Sequence, residues 1–129
     1  MTPDENRIAK PHALEAVLHE AFEAFNARDL SRLRPLFHDE IVWPDTLDNN
    51  EKPLIGKEAV IGHFARMFAT ILANVQLIRI LDETPDSLAV EAQYSVESPD
   101  GRIWTDTRAA LTYHFKDGLL SGMTIVGGF

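Results

Sequence analysis

Leu88-Ala-Val-Glu-Ala-Gln-Tyr-Ser-Val-Glu97 alternates without a slip: Leu88, Val90, Ala92, Tyr94 and Val96 fall on one side, and Ala89, Glu91, Gln93, Ser95 and Glu97 on the other. A period of two marks a strand with one buried face, because successive side chains leave a strand in opposite directions. The flanking segments continue the pattern. Residues 75–83 read as a strand ending at the turn Thr84-Pro-Asp-Ser87, and Ser98-Pro-Asp-Gly101 reads as a hairpin turn. The next strand, about 102–116, puts Ile103, Thr105, Thr107, Ala109, Leu111, Tyr113 and Phe115 on one face. Trp104, Asp106, Arg108, Ala110, Thr112 and His114 take the other. Asp117-Gly118 is a two-residue hairpin signal, and a last strand spans about 119–126.

Upstream the period lengthens to that of a helix. Pro11 suits a first helical turn. Leu14, Val17, Leu18, Ala21, Phe22 and Phe25 then form an apolar stripe, with Glu15, Glu20 and Glu23 off it. This predicts a helix over 11–26 behind a frayed polar tail, residues 1–10. Asn26-Ala-Arg-Asp29 breaks it. Asp29 can cap a short second helix carrying Leu30, Leu33, Leu36 and Phe37, kinked by Pro35. Ile41-Val-Trp43 is a short strand stopped by Pro44. Residues 45–55 read as a polar loop, and Gly56 opens a third helix, about 57–73, with the stripe Val60, Phe64, Met67, Phe68 and Ile71. Helices followed by a meander predict one α+β domain, the helices packed on one face of a curved antiparallel sheet.

The composition limits the function classes. The 129 residues suit one domain, residues 1–129, large enough to bury a core without staples. Twelve Lys and Arg against twenty Asp and Glu leave a net charge of −8. An acidic chain with no basic run is poorly suited to phosphate backbones or anionic membrane surfaces, so neither nucleic acid nor membrane is an expected partner. The absence of cysteine excludes disulfides, thiolate catalysis and Cys-ligated zinc, and fits a cytoplasmic location. No Gly-rich phosphate loop, no Gly-x-Ser-x-Gly elbow and no metal-type spacing among His12, His19, His38, His63 and His114 is present. No metal and no cofactor are therefore expected.

The stretch Ala24-Phe-Asn-Ala-Arg-Asp-Leu-Ser-Arg-Leu-Arg-Pro-Leu-Phe-His-Asp-Glu-Ile-Val-Trp-Pro-Asp45 resembles the nuclear transport factor 2-like superfamily, close to ketosteroid isomerases and SnoaL-like polyketide cyclases. Gly56-Lys-Glu-Ala-Val-Ile61 and Phe115-Lys-Asp-Gly118 fit the same pattern, and the resemblance covers about residues 12–127. It implies a cystatin-like, cone-shaped sheet wrapped around three helices, with an apolar cavity open at one end. It also implies a homodimer formed through the outer sheet face. An ungapped match places the isomerase's general-base aspartate on Asp45. The same match places its oxyanion-donor tyrosine on Ala21 and its protonated aspartic acid near Leu111. Each such donor contributes roughly 10²–10³ in rate, so steroid isomerisation by that route is not expected.

Two candidates for acid–base work remain, Asp45 and His63, the latter beside the apolar stripe of the third helix. Each also has a structural reading, as a turn-capping aspartate and as a hydrogen-bonded core histidine. Trp43, Phe64, Tyr94, Leu111 and Tyr113 are the expected pocket residues, the tyrosines as phenolic donors to a ligand oxygen. Trp104, Asp106, Arg108 and His114 suit a dimer surface, unless a slipped register or bulge brings Asp106 and Arg108 inside, as an epoxide hydrolase of this superfamily would have them. Two functions follow. One is a cofactor-independent isomerase, lyase or cyclase acting on a small apolar, oxygen-bearing molecule, with Asp45 as base. The other is a non-catalytic ligand-binding or dimerisation module.

Overall fold

The computed structural model describes residues 3–45 and 50–127. Its helices are α1 (Pro3–Asn26), α2 (Leu30–Leu33) and α3 (Lys57–Thr70), with a 3-10 turn at Arg34–Leu36. Its strands are β1 (Phe37–Asp45), β2 (Asn50–Ile55), β3 (Leu72–Thr84), β4 (Ser87–Glu97), β5 (Ile103–Lys116) and β6 (Leu119–Gly127). They form one sheet in the order β2-β1-β6-β5-β4-β3, antiparallel throughout except between β1 and β6. The sheet curves around α1 and α3, giving the α+β cone expected from the sequence. Leu18 of α1, Val60 of α3, Phe37 and Ile41 of β1, Leu88 and Val90 of β4 and Leu120 of β6 are fully buried between the two layers.

The third helix ends at Thr70 rather than near 73, with Ile71 already extended, and β3 begins at Leu72 rather than Val75. Four further differences from the sequence reading have local reasons. Helix α1 starts at Pro3 rather than Pro11, so residues 3–10 are helical rather than frayed. Pro3 takes the first-turn position, where its missing N–H costs the helix no hydrogen bond. The second helix is only α2 plus the 3-10 turn that holds Pro35, and Phe37 belongs to β1. Strand β1 continues through Pro44, because the pairing with β2 shifts between Trp43 and Asp45. A bulge is where a residue without an N–H fits into a strand. The loop expected over 45–55 contains β2, a short edge strand whose charges and Pro53 hide its period; residues 46–49 lie outside the described residues.

The Asn26-Ala-Arg-Asp29 segment is the hinge between helix and cone. The Asp29 amide donates to the Ala24 carbonyl at 2.9 Å and the Arg28 amide to the Phe25 carbonyl at 3.0 Å. This closes α1 with Arg28 left-handed at φ 57°. The Asn26 amide reaches across to β3, donating to the Val75 carbonyl and accepting from the Val75 N–H, both at 2.8 Å. Asp29 then caps α2, accepting from the Arg32 amide at 3.3 Å, and the Ser31 hydroxyl that donates to it holds its carboxyl below the usual range. Asn26→Ala leaves two backbone groups of Val75 unpaired at a half-buried site. It is expected to cost about 2 kcal/mol, read by chemical denaturation, with little change in the slope of the transition.

Strand β3, at the sheet edge opposite β2, carries two register shifts, at Ile78 and Leu81, which break up the regular edge another chain would need for pairing. On β4 the inward set is as read, with Leu88, Val90, Ala92 and Val96 buried and Tyr94 half-buried. On β5 the buried set is Ala109, Leu111, Tyr113 and Phe115.

Candidate functional site

Between α1, α3 and the concave face of the sheet lies a chamber of about 430 Å³, within the range of small-molecule sites. Its floor comes from α1 (Ala21, Phe22, Phe25) and α3 (Phe64, Met67), and its walls from all strands but β2. Trp43, Phe64, Tyr94, Leu111 and Tyr113, singled out from the sequence, are among the lining residues. Ala21 and Leu111, which stand where an isomerase's donors would be, line it as well. Helical spacing puts Ala21, Phe22 and Phe25 on one side of α1, and alternation puts Leu111 and Tyr113 together on β5.

The walls are largely apolar, so their few polar groups matter. Burial pushes the Tyr113 phenol far above its usual value, and the neighbouring Tyr94 adds to the effect. Burial raises Tyr94 also. Both phenols are therefore neutral, and so able to donate a hydrogen bond, throughout the physiological range. Tyr113 is held edge-on by Phe22, with ring centroids 5.6 Å apart, and lies 6.1 Å from Trp43. Phe64 is the hub of the remaining aromatics, meeting Phe25 at 5.6 Å, Phe37 at 5.8 Å and Trp43 at 5.6 Å.

Asp45 and His63 do come together. His63 Nδ1 lies 3.8 Å from Asp45 Oδ1, with only 1% and 7% of the two side chains exposed. That separation is longer than a hydrogen bond. Strand β1 carries Asp45 two residues past Trp43, and α3 carries His63 one residue before Phe64. Neither is among the chamber's lining residues. The pair adjoins the chamber through Trp43 and Phe64, and the His63 ring packs 5.4 Å from that of Phe64. Among the described residues, no three His, Asp or Glu side chains converge as a metal site requires.

Asp106 and Arg108 stay outside. Asp106 accepts from Gln93 at 2.6 Å on the outer face, and exposed Arg108 lies 3.9 Å from Glu91. The inward Asp–Arg arrangement is not formed. A bulge is nevertheless present one step upstream. Val96 pairs with Thr105 but Glu97 pairs with Ile103, leaving Trp104 as the extra residue. Trp104, read as an outer-face residue, therefore turns to the chamber's rim and lines it together with Thr105. Met67, Met123 and Ile125 also line it. Stripe and alternation would have found those three, whereas the bulge leaves no local mark.

An α+β cone with helices inside its curve and an apolar internal chamber defines the nuclear transport factor 2-like architecture. Residues 18–123 match the model of the SnoaL-like domain, and the chain belongs to that family. Among solved structures it is similar to the Δ5-3-ketosteroid isomerase of a Mycobacterium species, with 18% identity and TM-score 0.78 over 89% of this chain and 92% of that one. It is similar to Mycobacterium tuberculosis RV0760c in complex with estradiol-17β-hemisuccinate, with 20% identity and TM-score 0.78 over 89% and 93%. It is also similar to an M. tuberculosis LEH-like epoxide hydrolase, with 12% identity and TM-score 0.75 over 88% and 81%. At these identities the likeness is one of fold. No curated protein matches the chain significantly in sequence.

Proposed function

We propose that this protein binds a small, largely apolar, oxygen-bearing molecule inside the chamber, with the phenols of Tyr113 and Tyr94 donating to its oxygen. The observation that carries this reading is the pairing of an aromatic-walled 430 Å³ chamber with two neutral phenols on its surface. Apolar walls supply affinity by removing ligand surface from water, and a few placed donors fix orientation. The steroid ester in the RV0760c structure is a molecule of this kind. Titration of the protein with estradiol-17β-hemisuccinate, followed by tryptophan emission excited at the red edge of the band, tests it. Trp43 and Trp104 both line the chamber, so saturable quenching is expected. An emission unchanged up to the ligand's solubility limit sinks the reading.

A second reading, proton transfer, is favoured by the buried Asp45–His63 contact beside Trp43 and Phe64. In it Asp45 removes a proton from the carbon next to a ligand carbonyl, the electron pair moves onto the oxygen, and the phenols hold the resulting enolate. His63 keeps the carboxylate in place. Asp45→Asn is then expected to lower turnover of such a ligand by at least about 10³ while its affinity stays within a factor of a few. Equal turnover by wild type and variant would leave binding as the function.

The outer face of the sheet is proposed as a dimer surface. Val42 and Ile55 are paired across β1 and β2 and, with Val126 of β6, are exposed apolar side chains. Light scattering is expected to give twice the chain mass, and Val42→Lys to give the monomer. A wild-type monomer at high concentration would refute this.

A further inference from the structure

The chamber's opening can be located from the lining residues that keep contact with solvent. Most of its lining is buried. The exceptions on the strands are Tyr94, Trp104, Thr105, Met123 and Ile125, so the mouth lies along the first half of β5, beside the end of β6. Trp104 differs from the rest. It is 58% exposed and yet contributes to the chamber wall. Its position comes from the bulge at which Thr105 and Ile103 face successive residues of β4. In an unbulged strand the inward Thr105 would force Trp104 outward, away from the opening.

We propose that Trp104 is the specificity-determining residue of the mouth, an indole placed to stack on the flat outer end of the bound molecule. The proposal rests on the ligand-binding reading above and sharpens it to a class. That class is a planar, ring-containing apolar molecule, with an oxygen held inside by Tyr113 and an unsaturated or fused-ring end at the rim. The buried position of Tyr113 and the exposed one of Trp104 set this polarity. An indole is the side chain best matched to a flat ring: it offers a large rigid face at small entropic loss, and offset stacking adds to the area it covers. The occupant of this exposed ring is taken to be the ligand because the ring forms part of the same wall as Tyr94, Val96 and Thr105.

The test uses wild type, Trp104→Phe and Trp104→Ala with estradiol-17β-hemisuccinate as probe. Trp104 is exposed, so both variants are expected to fold. Emission of wild type minus that of Trp104→Phe isolates Trp104, while Trp104→Phe alone reports Trp43. On saturation the isolated Trp104 signal is expected to shift to the blue, with its access to acrylamide falling about threefold or more. Trp104→Ala is expected to release the probe about tenfold faster, and Trp104→Phe, which keeps a flat ring, to stay within about threefold of wild type. If Trp43 responds to the probe while the Trp104 signal and the release rate do not, the inference fails and the binding reading stands. If neither tryptophan responds, both fail. Shielding of Trp104 that depends on protein concentration without probe would assign the ring to contact with a second copy and overturn the inference.

Discussion

Ala21→Trp is expected to abolish ligand binding, weakening it by at least about a hundredfold, while the protein stays folded. Ala21 is buried on α1 and lines the chamber floor beside Phe22 and Phe25. An indole at this position has one direction in which to grow, into the chamber, where it occupies the space a ligand would fill. The same change inside a close-packed core would overpack it and cost about 1–3 kcal/mol. Here an existing void receives the added atoms, so thermal stability is expected to hold or rise. The two readouts must separate: binding lost, melting temperature kept. A variant that melts much earlier would mean that the chamber is already collapsed in solution. A variant that binds as wild type would mean that ligands go elsewhere.

Phe64→Ala is expected to have the largest effect on stability, a loss of about 3–5 kcal/mol. Phe64 is 4% exposed and lies within ring-contact distance of Phe25, Phe37, Trp43, Phe68 and His63. It joins α1, α3 and β1 at the point where the chamber floor meets the Asp45–His63 contact. Removing the ring leaves its neighbours facing a cavity that already adjoins a void, so little can relax into it. For a domain whose total stability is of the order of 10 kcal/mol this is a large fraction. Phe64→Leu, which keeps most of the volume, is expected to recover more than half of the loss. Denaturation of both variants by urea decides the matter: losses below about 1 kcal/mol in Phe64→Ala would remove Phe64 from its central place.

The sequence features that proved legible were those whose cause is local. Strict alternation from Leu88 to Val96 defined the inner face of β4, and with it the side on which Tyr94 lies. The break at Asn26-Ala-Arg-Asp29 is readable because helix closure, the Asn26 clamp on Val75 and the Asp29 cap are written in four consecutive residues. Features set by a partner strand were not legible. Strand β2 exists because β1 offers it an edge, and its own residues, with Lys52 and Pro53, resemble a loop. The bulge that turns Trp104 to the rim depends on how β5 pairs with β4, and no glycine or proline inside the strand marks it. The approach of Asp45 to His63 followed from their elements, β1 and α3, being packed together. Their absence from the chamber wall did not, because it depends on the packing of whole elements rather than on any local pattern.

The central claim, that the chamber receives a small apolar molecule, is tested most directly by labelling methionine methyl groups with carbon-13. The chain has three methionines, and two of them, Met67 on α3 and Met123 on β6, line opposite sides of the chamber. Added estradiol-17β-hemisuccinate is expected to shift both resonances along one saturable curve, and to shift neither in Ala21→Trp. If the Met67 and Met123 signals stay in place up to the limit of ligand solubility, the chamber is not the binding site and the account is wrong.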